Sequence, residues 1–299
     1  MTPKLDKQGL IAALCTTATW GTVGVFVRWL PGWSPFAVLA GRFIFATAVM
    51  IPIVFLASSV RYELTRTLRT PIIWWLSLPA IGGYVLGTTA FQMAPIGEVT
   101  LLITTSPLFV IAYKYFRRLR IKQSESIGML VATAGVCVIL LPQLSTGKVI
   151  SWQTIIGYLL ALGAAAMLAL YALWFNTLNK QGIAPKAFNV VFVTCLLGGF
   201  LSLLYTIFFP TPSVEIRIDR QVILVLVGLG ILATALPSLC YTVAAQRLPV
   251  VVTTAILLLE PVFAVLFASV ALQEFPSLWF GIGSLLVFWG LLSIAKGAN

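Results

Sequence analysis

The amino-acid sequence predicts an all-α membrane protein of ten transmembrane helices, built as two inverted five-helix repeats. Three observations predict it. The 299 residues are 60% hydrophobic and only 9% charged, with a mean hydropathy of +1.03. The apolar residues gather into ten runs of membrane-spanning length. The chain also aligns with itself at an offset of 154 residues.

Soluble domains are about one quarter charged. A chain this apolar cannot bury its surface in a single water-soluble core, so the missing solvent is lipid. The formal charge of +11 does not indicate nucleic acid, because the basic residues sit in short loops between apolar runs. Cys15, Cys137, Cys195 and Cys240 all lie inside apolar runs and form no CxxC pair, so neither a disulfide framework nor a metal site is indicated. Histidine is absent, which removes the commonest metal ligand and the usual proton shuttle near neutral pH. No cofactor or metal is expected.

A helix needs about 20 apolar residues to cross roughly 30 Å of hydrocarbon. Such runs lie near 9–30, 35–57, 71–93, 96–116, 124–142, 152–176, 187–209, 221–245, 250–271 and 277–295. They are continuous and do not alternate with period two, which favours helices over a barrel. Turn chemistry separates them, as in Leu30-Pro31-Gly32-Trp33-Ser34-Pro35, Pro210-Thr211-Pro212 and Phe275-Pro276-Ser277. Lys4 and Lys7 precede the first run, but that run lacks a small-x-small exit site and belongs to the internal repeat, so it is expected to be retained.

Basic residues set the orientation. With a cytoplasmic N-terminus, fourteen lysines and arginines fall inside, in the loops around Lys4, Arg61, Lys114–Lys122, Lys180–Lys186, Arg247 and Lys296. Only four, Arg28, Lys148, Arg217 and Arg220, fall outside. Both termini are therefore expected in the cytoplasm. Arg42 lies within the second run, near its outer third, and is expected to snorkel outward.

At the 154-residue offset Trp20 meets Trp174, Pro31 meets Pro185, Gln92 meets Gln246, Pro95 meets Pro249 and Pro107 meets Pro261. Chance in an apolar chain yields matched leucines and alanines. It does not readily align tryptophans, glutamines and prolines at one offset. The repeats are read as 1–145 and 146–299. Each holds five helices, an odd number, so the second enters the membrane from the opposite side. Inverted repeats of this kind open a shared site alternately to each face.

Matched helix faces mark the candidate site. Tyr84, Gly87, Thr88 and Phe91 share one face of the third run, and Ser238, Tyr241, Thr242 and Ala245 occupy the equivalent positions in the eighth. Trp20 and Trp174 lie halfway along the first and sixth runs, with Tyr171 beside the latter, and Thr105 lies in the fourth. These residues are the expected substrate contacts. Helix packing by small and hydroxyl side chains is the competing reading. Gly82 and Gly83 align with Leu236 and Pro237, and Pro107 with Pro261, so these glycines and prolines are candidate hinges. Glu260 is the one acidic residue deep in a run. Burying a charge at the bilayer centre costs on the order of 2.5–3.5 kcal/mol, so Glu260 is a candidate for proton coupling or for contact with a substrate amine. The alternative is a structural role beside Pro261.

These motifs carry a resemblance. Trp20-Gly21, Pro35-Phe36 with Gly41-Arg42-Phe43, Ser106-Pro107-Leu108-Phe109, and above all Leu259-Glu260-Pro261-Val262-Phe263 resemble the drug/metabolite transporter superfamily, ten-helix duplicated EamA-type family. Gln273-Glu274 stands where that family usually has Gly-Glu. Within the superfamily the chain is most similar to bacterial aromatic amino acid exporters. The resemblance implies a multi-pass protein of the bacterial inner membrane, and a monomer is expected to suffice. It implies export of aromatic and other neutral amino acids or similar amphipathic metabolites with broad selectivity, and the inverted repeat implies alternating access. Efflux of cationic drugs or quaternary amines is the alternative within transport. An enzyme is not expected, because no HExxH, paired aspartates or G-x-S-x-G is present.

Overall fold

A computed structural model describes residues 6–94, 96–119, 121–144, 151–209, 219–272 and 278–298. Among them there is no strand. Lys4, Pro95, Arg120, Lys148, Pro210-Thr211-Pro212, Arg217, Gln273-Glu274 and Phe275-Pro276-Ser277 lie outside the described residues, as do the boundary at 145/146 and the side chains of Arg28 and Lys296.

The first apolar run forms α1 (Lys7–Trp20) and α2 (Val23–Arg28). Asp6 caps α1, its Oδ1 accepting from the backbone N–H of Gln8 at 2.8 Å. Ser34 caps α3 (Pro35–Leu56) by accepting from Ala37 N–H. The polar α4 (Ser58–Leu68) buries only Leu64 and leads to α5 (Pro71–Met93). Next come α6 (Ile96–Ile103), α7 (Ser106–Phe116), α8 (Gln123–Leu144), α9 (Trp152–Lys180) and α10 (Ala187–Phe208). The eighth run begins as α11 (Arg220–Gly230), passes through a π-helical turn at Ile231–Ala235, and continues as α12 (Leu236–Arg247). The ninth is α13 (Val250–Ile256), a 3-10 turn at Leu257–Leu259, and α14 (Glu260–Leu272). The last helix is α15 (Leu278–Ala298).

Among the described residues, seven spans are long and apolar enough to cross a membrane: Lys7–Val27, Pro35–Leu56, Pro71–Met93, Trp152–Lys180, Ala187–Phe208, Arg220–Arg247 and Val250–Ala271. The other three expected runs are helical but differ from continuous described spans. Thr104-Thr105 divides the fourth into α6 and α7. The fifth lies in α8 and the tenth in α15, where the described apolar stretch is Gly281–Ile294.

Three of the helix breaks within apolar runs coincide with prolines, which lack a backbone donor, whereas Pro52 and Pro79 lie inside continuous helices and the α1–α2 break at Gly21-Thr22 has no proline. Pro107 and Pro261 sit in the first turns of α7 and α14, where a missing N–H costs least. Both therefore start new helical segments rather than kinking continuous ones. Pro237 likewise opens α12 immediately after the π turn. By contrast, α5 runs unbroken through Gly82 and Gly83. The element boundaries also share a register: α6 and α13 begin 154 residues apart, as do α7 and α14, and α5 and α12 end at that same separation.

The principal helix pairs are α1 with α12, α5 with α9, α3 with α10, and α8 with α15. Outward faces carry large apolar side chains, among them Leu56, Phe208, Leu285 and Trp289, as contact with lipid requires. Buried hydroxyls such as Thr16 and Ser77 return hydrogen bonds to their own helix, at Ala12 O and Ile73 O. Between α8 and α15, glycines let the backbones touch. A Cβ on Gly128 would stand 2.6 Å from the Gly290 carbonyl, and one on Gly290 would stand 2.5 Å from that of Gly128.

Candidate functional site

A cavity of about 920 Å³, counting its open mouth, lies among α1, the start of α2, α3, α5, the end of α6, α9, α10, α12 and the start of α14. Its walls are mostly apolar. Trp20 comes from α1, Tyr84, Gly87, Thr88 and Phe91 from α5, Tyr171 from α9, Ser238, Tyr241 and Thr242 from α12, and Glu260 from α14. Residues four or three apart on α5 and α12 deliver their side chains to one face each, which is why the 3.6-residue period located them.

Hydroxyl groups order the walls. The Tyr84 and Ser238 hydroxyls lie 2.7 Å apart, and those two positions are separated by the repeat offset of 154. Thr242 donates to the Ser238 carbonyl at 2.7 Å, so its oxygen accepts the proton of the Tyr171 hydroxyl at 2.6 Å. Tyr241 donates to the Leu168 carbonyl at 3.3 Å. Its ring lies between those of Trp20 and Tyr171, with centroids 5.5 and 5.9 Å away. These offsets suit aromatic contacts and fix a rigid, partly polar wall.

Arg42 is the lining residue whose placement departs most from its expectation. It does not snorkel outward. It is 4% exposed, lines the cavity, and holds its guanidinium 4.7 Å from the centre of the Tyr84 ring. Nε donates to Thr234 Oγ1 and Nη2 to the Ala233 carbonyl, each at 2.8 Å. In a regular helix that carbonyl would accept from residue 237, which is proline and has no N–H to give. Arg42 fills the gap, and this fixes its direction. Thr234 in turn donates to the Leu229 carbonyl at 2.8 Å across the π turn.

Glu260 faces the cavity from the first position of α14. Among the described residues, none donates a hydrogen bond to its carboxyl group, and none forms an ion pair with Arg42. Among the described residues, the lining therefore carries one basic and one acidic side chain, and neither has an ion-pair partner.

Of the expected contacts, Trp20, Tyr84, Thr88, Tyr171, Ser238 and Tyr241 come together on this cavity, with Gly83 among the candidate hinges. Trp174 and Thr105 do not. Trp174 is 38% exposed, and Thr105 donates to the Leu102 carbonyl at 2.6 Å in the break before α7. Gly82, Pro107, Pro237 and Pro261 lie off the lining. Sequence reasoning missed the apolar contributors Ile103, Leu168 and Val191, which carry no chemical signal. Thr194, also on the lining, donates to Ser77 Oγ at 3.2 Å.

Among the described residues the chain is all-helical, with apolar spans that wall an amphipathic cavity, an architecture that suits passage of a small molecule across a lipid bilayer. The pattern of the EamA-like transporter family matches the chain twice, over residues 7–141 and 155–296, and the chain belongs to that family. It is similar to an uncharacterized transporter of Clostridium kluyveri, 23% identical over 276 residues that cover 90% of this chain and 86% of that one. Its fold is shared with a protein of known crystal structure, at a TM-score of 0.81 and 22% identity over 97% of both chains.

Proposed function

We propose that the chain exports amino acids, aromatic and other neutral ones, by alternating access of a central cavity formed between two inverted five-helix repeats. The observation that carries this reading is the composition of the cavity wall. Trp20, Tyr84 and Thr88 come from the first half, and Tyr171, Ser238 and Tyr241 from the second, with one arginine and one glutamate among them. An aromatic or aliphatic side chain packs on such rings. An ammonium group is attracted by their faces and by Glu260.

The inverted repeat is supported by contact between positions it exchanges. Residues swapped by a two-fold axis touch only near that axis, and Tyr84 and Ser238 are such a pair, joined by a 2.7 Å hydrogen bond. The packing pairs support it as well. Exchange of the halves turns the α1–α12 pair into α5–α9, and leaves α3–α10 and α8–α15 as themselves. In this reading α6–α7, α8 and α15 complete ten spans, both termini lie in the cytoplasm of a bacterial cell, and the breaks at Pro107, Pro237 and Pro261 let the halves rock, with Gly82 and Gly83 flexing opposite Pro237.

Efflux of cationic drugs or quaternary amines is the second reading, favoured by Glu260 beside aromatic faces and disfavoured by Arg42 in the same space. Uptake into proteoliposomes, with a panel of amino acids and cationic dyes and with or without a pH gradient, separates the two. Saturable movement of amino acids is expected. Movement of dyes without amino acids establishes the second reading instead.

Glu260→Gln keeps the shape of the side chain and removes its charge. Loss of a charge-assisted contact to an ammonium group corresponds to roughly 10-fold or more in affinity. Uptake of phenylalanine by this variant is expected to fall by that order and to stop responding to pH. Full, pH-independent uptake removes Glu260 from the mechanism.

A further inference from the structure

The export reading counts the buried arginine among the cavity's residues but assigns it no ligand. We propose that Arg42 is the subsite for the substrate's carboxylate, an inference that rests on the amino acid reading above and narrows it to solutes bearing a single carboxylate.

Four observations carry this. Arg42 is buried, yet its side chain lines the cavity rather than a closed core. No described carboxylate pairs with it, so a positive charge sits in a low-dielectric wall without a protein counter-ion. A buried charge without a partner is costly, and an anion arriving with the solute removes that cost. The hydrogen bonds to Thr234 and Ala233 use Nε and Nη2, and Nη1 donates to no described residue. The guanidinium is therefore held rigidly by one edge while another N–H-bearing nitrogen remains for the solute, and planar recognition of carboxylate is what guanidinium geometry serves best.

The position itself does not demand a charge. The residue 154 positions later is Leu196, which is half-exposed on the outer surface. The cation at this position is thus present in the first half and absent from the second. One guanidinium balances one carboxylate. Arg42 is the only cation among the described lining residues, and Glu260 shares the wall, so a doubly charged phosphate would be under-neutralised and repelled. With Arg42 on the carboxylate and Glu260 on the ammonium, the two side chains read the two ends of a zwitterion.

The test compares four probes on each protein, so the amount of folded transporter cancels. Phenylalanine carries both charges, phenylalanine amide lacks the carboxylate, hydrocinnamate lacks the ammonium, and phenethyl phosphate replaces the carboxylate with phosphate. Uptake is measured in proteoliposomes with wild type, Arg42→Gln and Arg42→Lys, with monodispersity and melting in detergent recorded for each. The wild type is expected to prefer phenylalanine over its amide. Arg42→Gln is expected to lose about 10-fold or more of that preference, the size of a charge-assisted hydrogen bond, and Arg42→Lys to keep part of it. Equal loss for phenylalanine and its amide makes Arg42 a structural prop and overturns the proposal. So does a wild type that moves no carboxylate probe, or one that prefers the phosphate. Arg42-dependent uptake of hydrocinnamate without uptake of phenylalanine keeps the carboxylate subsite and defeats amino acid export. Phenylalanine uptake indifferent to Arg42 does the reverse.

Discussion

A leucine introduced at Gly290 is expected to prevent α8 and α15 from docking and to leave little folded protein. The first atom of any side chain there meets the Gly128 carbonyl at 2.5 Å and the Ala132 backbone nitrogen at 2.6 Å. Backbone cannot rotate away as a side chain can, so the helices must separate along their whole contact. Separation also undoes the facing approach of Gly135 to Gly283, where a Cβ on Gly135 would stand 2.7 Å from the Gly283 carbonyl. Over-packing of a tight contact costs on the order of 3 kcal/mol, a large share of a typical stability. Melting in detergent is expected to fall steeply for Gly290→Leu. A leucine at Gly281, which faces open space on the same helix, is expected to leave it nearly unchanged. Equal behaviour of the two variants contradicts the close helix contact.

Removal of the Tyr241 ring is expected to be the most damaging single change to the cavity wall. Tyr241 is 3% exposed and its ring bridges Trp20 on α1 and Tyr171 on α9. Truncation of a buried aromatic to alanine costs about 3–5 kcal/mol in packing. Here that loss falls on the surface offered to the solute, so transport by Tyr241→Ala is expected to drop by at least about tenfold, which is a loss of only 1.4 kcal/mol in binding. Tyr241→Phe keeps the ring and gives up only a long hydrogen bond to the Leu168 carbonyl. That change costs about 1 kcal/mol or less, so most transport is retained. A phenylalanine variant as inactive as the alanine variant would shift the role from the ring to the hydroxyl.

Periodicity made much of this site legible. Tyr84 with Thr88, and Ser238 with Tyr241, were placed together by helical spacing, and the repeat offset put the two faces opposite each other. Trp20 and Glu260 followed from their depth in the runs. Arg42 was not legible, because a long side chain near the outer third of a span reaches either the interface or the interior. The choice is made by the Ala233 carbonyl, which Pro237 deprives of a helical partner at a site 191 residues away in sequence. Trp174 misled for a related reason. Trp20 packs on Tyr241, but the position equivalent to Tyr241 in the first half is Gly87, so Trp174 finds no ring to turn toward. Thr105 was drawn to the cavity by composition, while locally it satisfies the break between α6 and α7. The breaks at Pro107, Pro237 and Pro261 were visible as prolines, while the one at Gly21-Thr22 was not. That those at Pro107 and Pro261 begin new segments rather than bend old ones depends on how the preceding carbonyls are satisfied.

Alternating exposure of one shared cavity is the claim on which the rest depends. Thr88 lines that cavity and is 7% exposed. A single cysteine at position 88, in protein whose four native cysteines are replaced by serine or alanine, reports its access to a charged thiol reagent added to either side of sealed vesicles. Labelling from each side in turn, slowed from both by phenylalanine, is the predicted result. Labelling from one side only, or labelling that phenylalanine does not slow, contradicts the account.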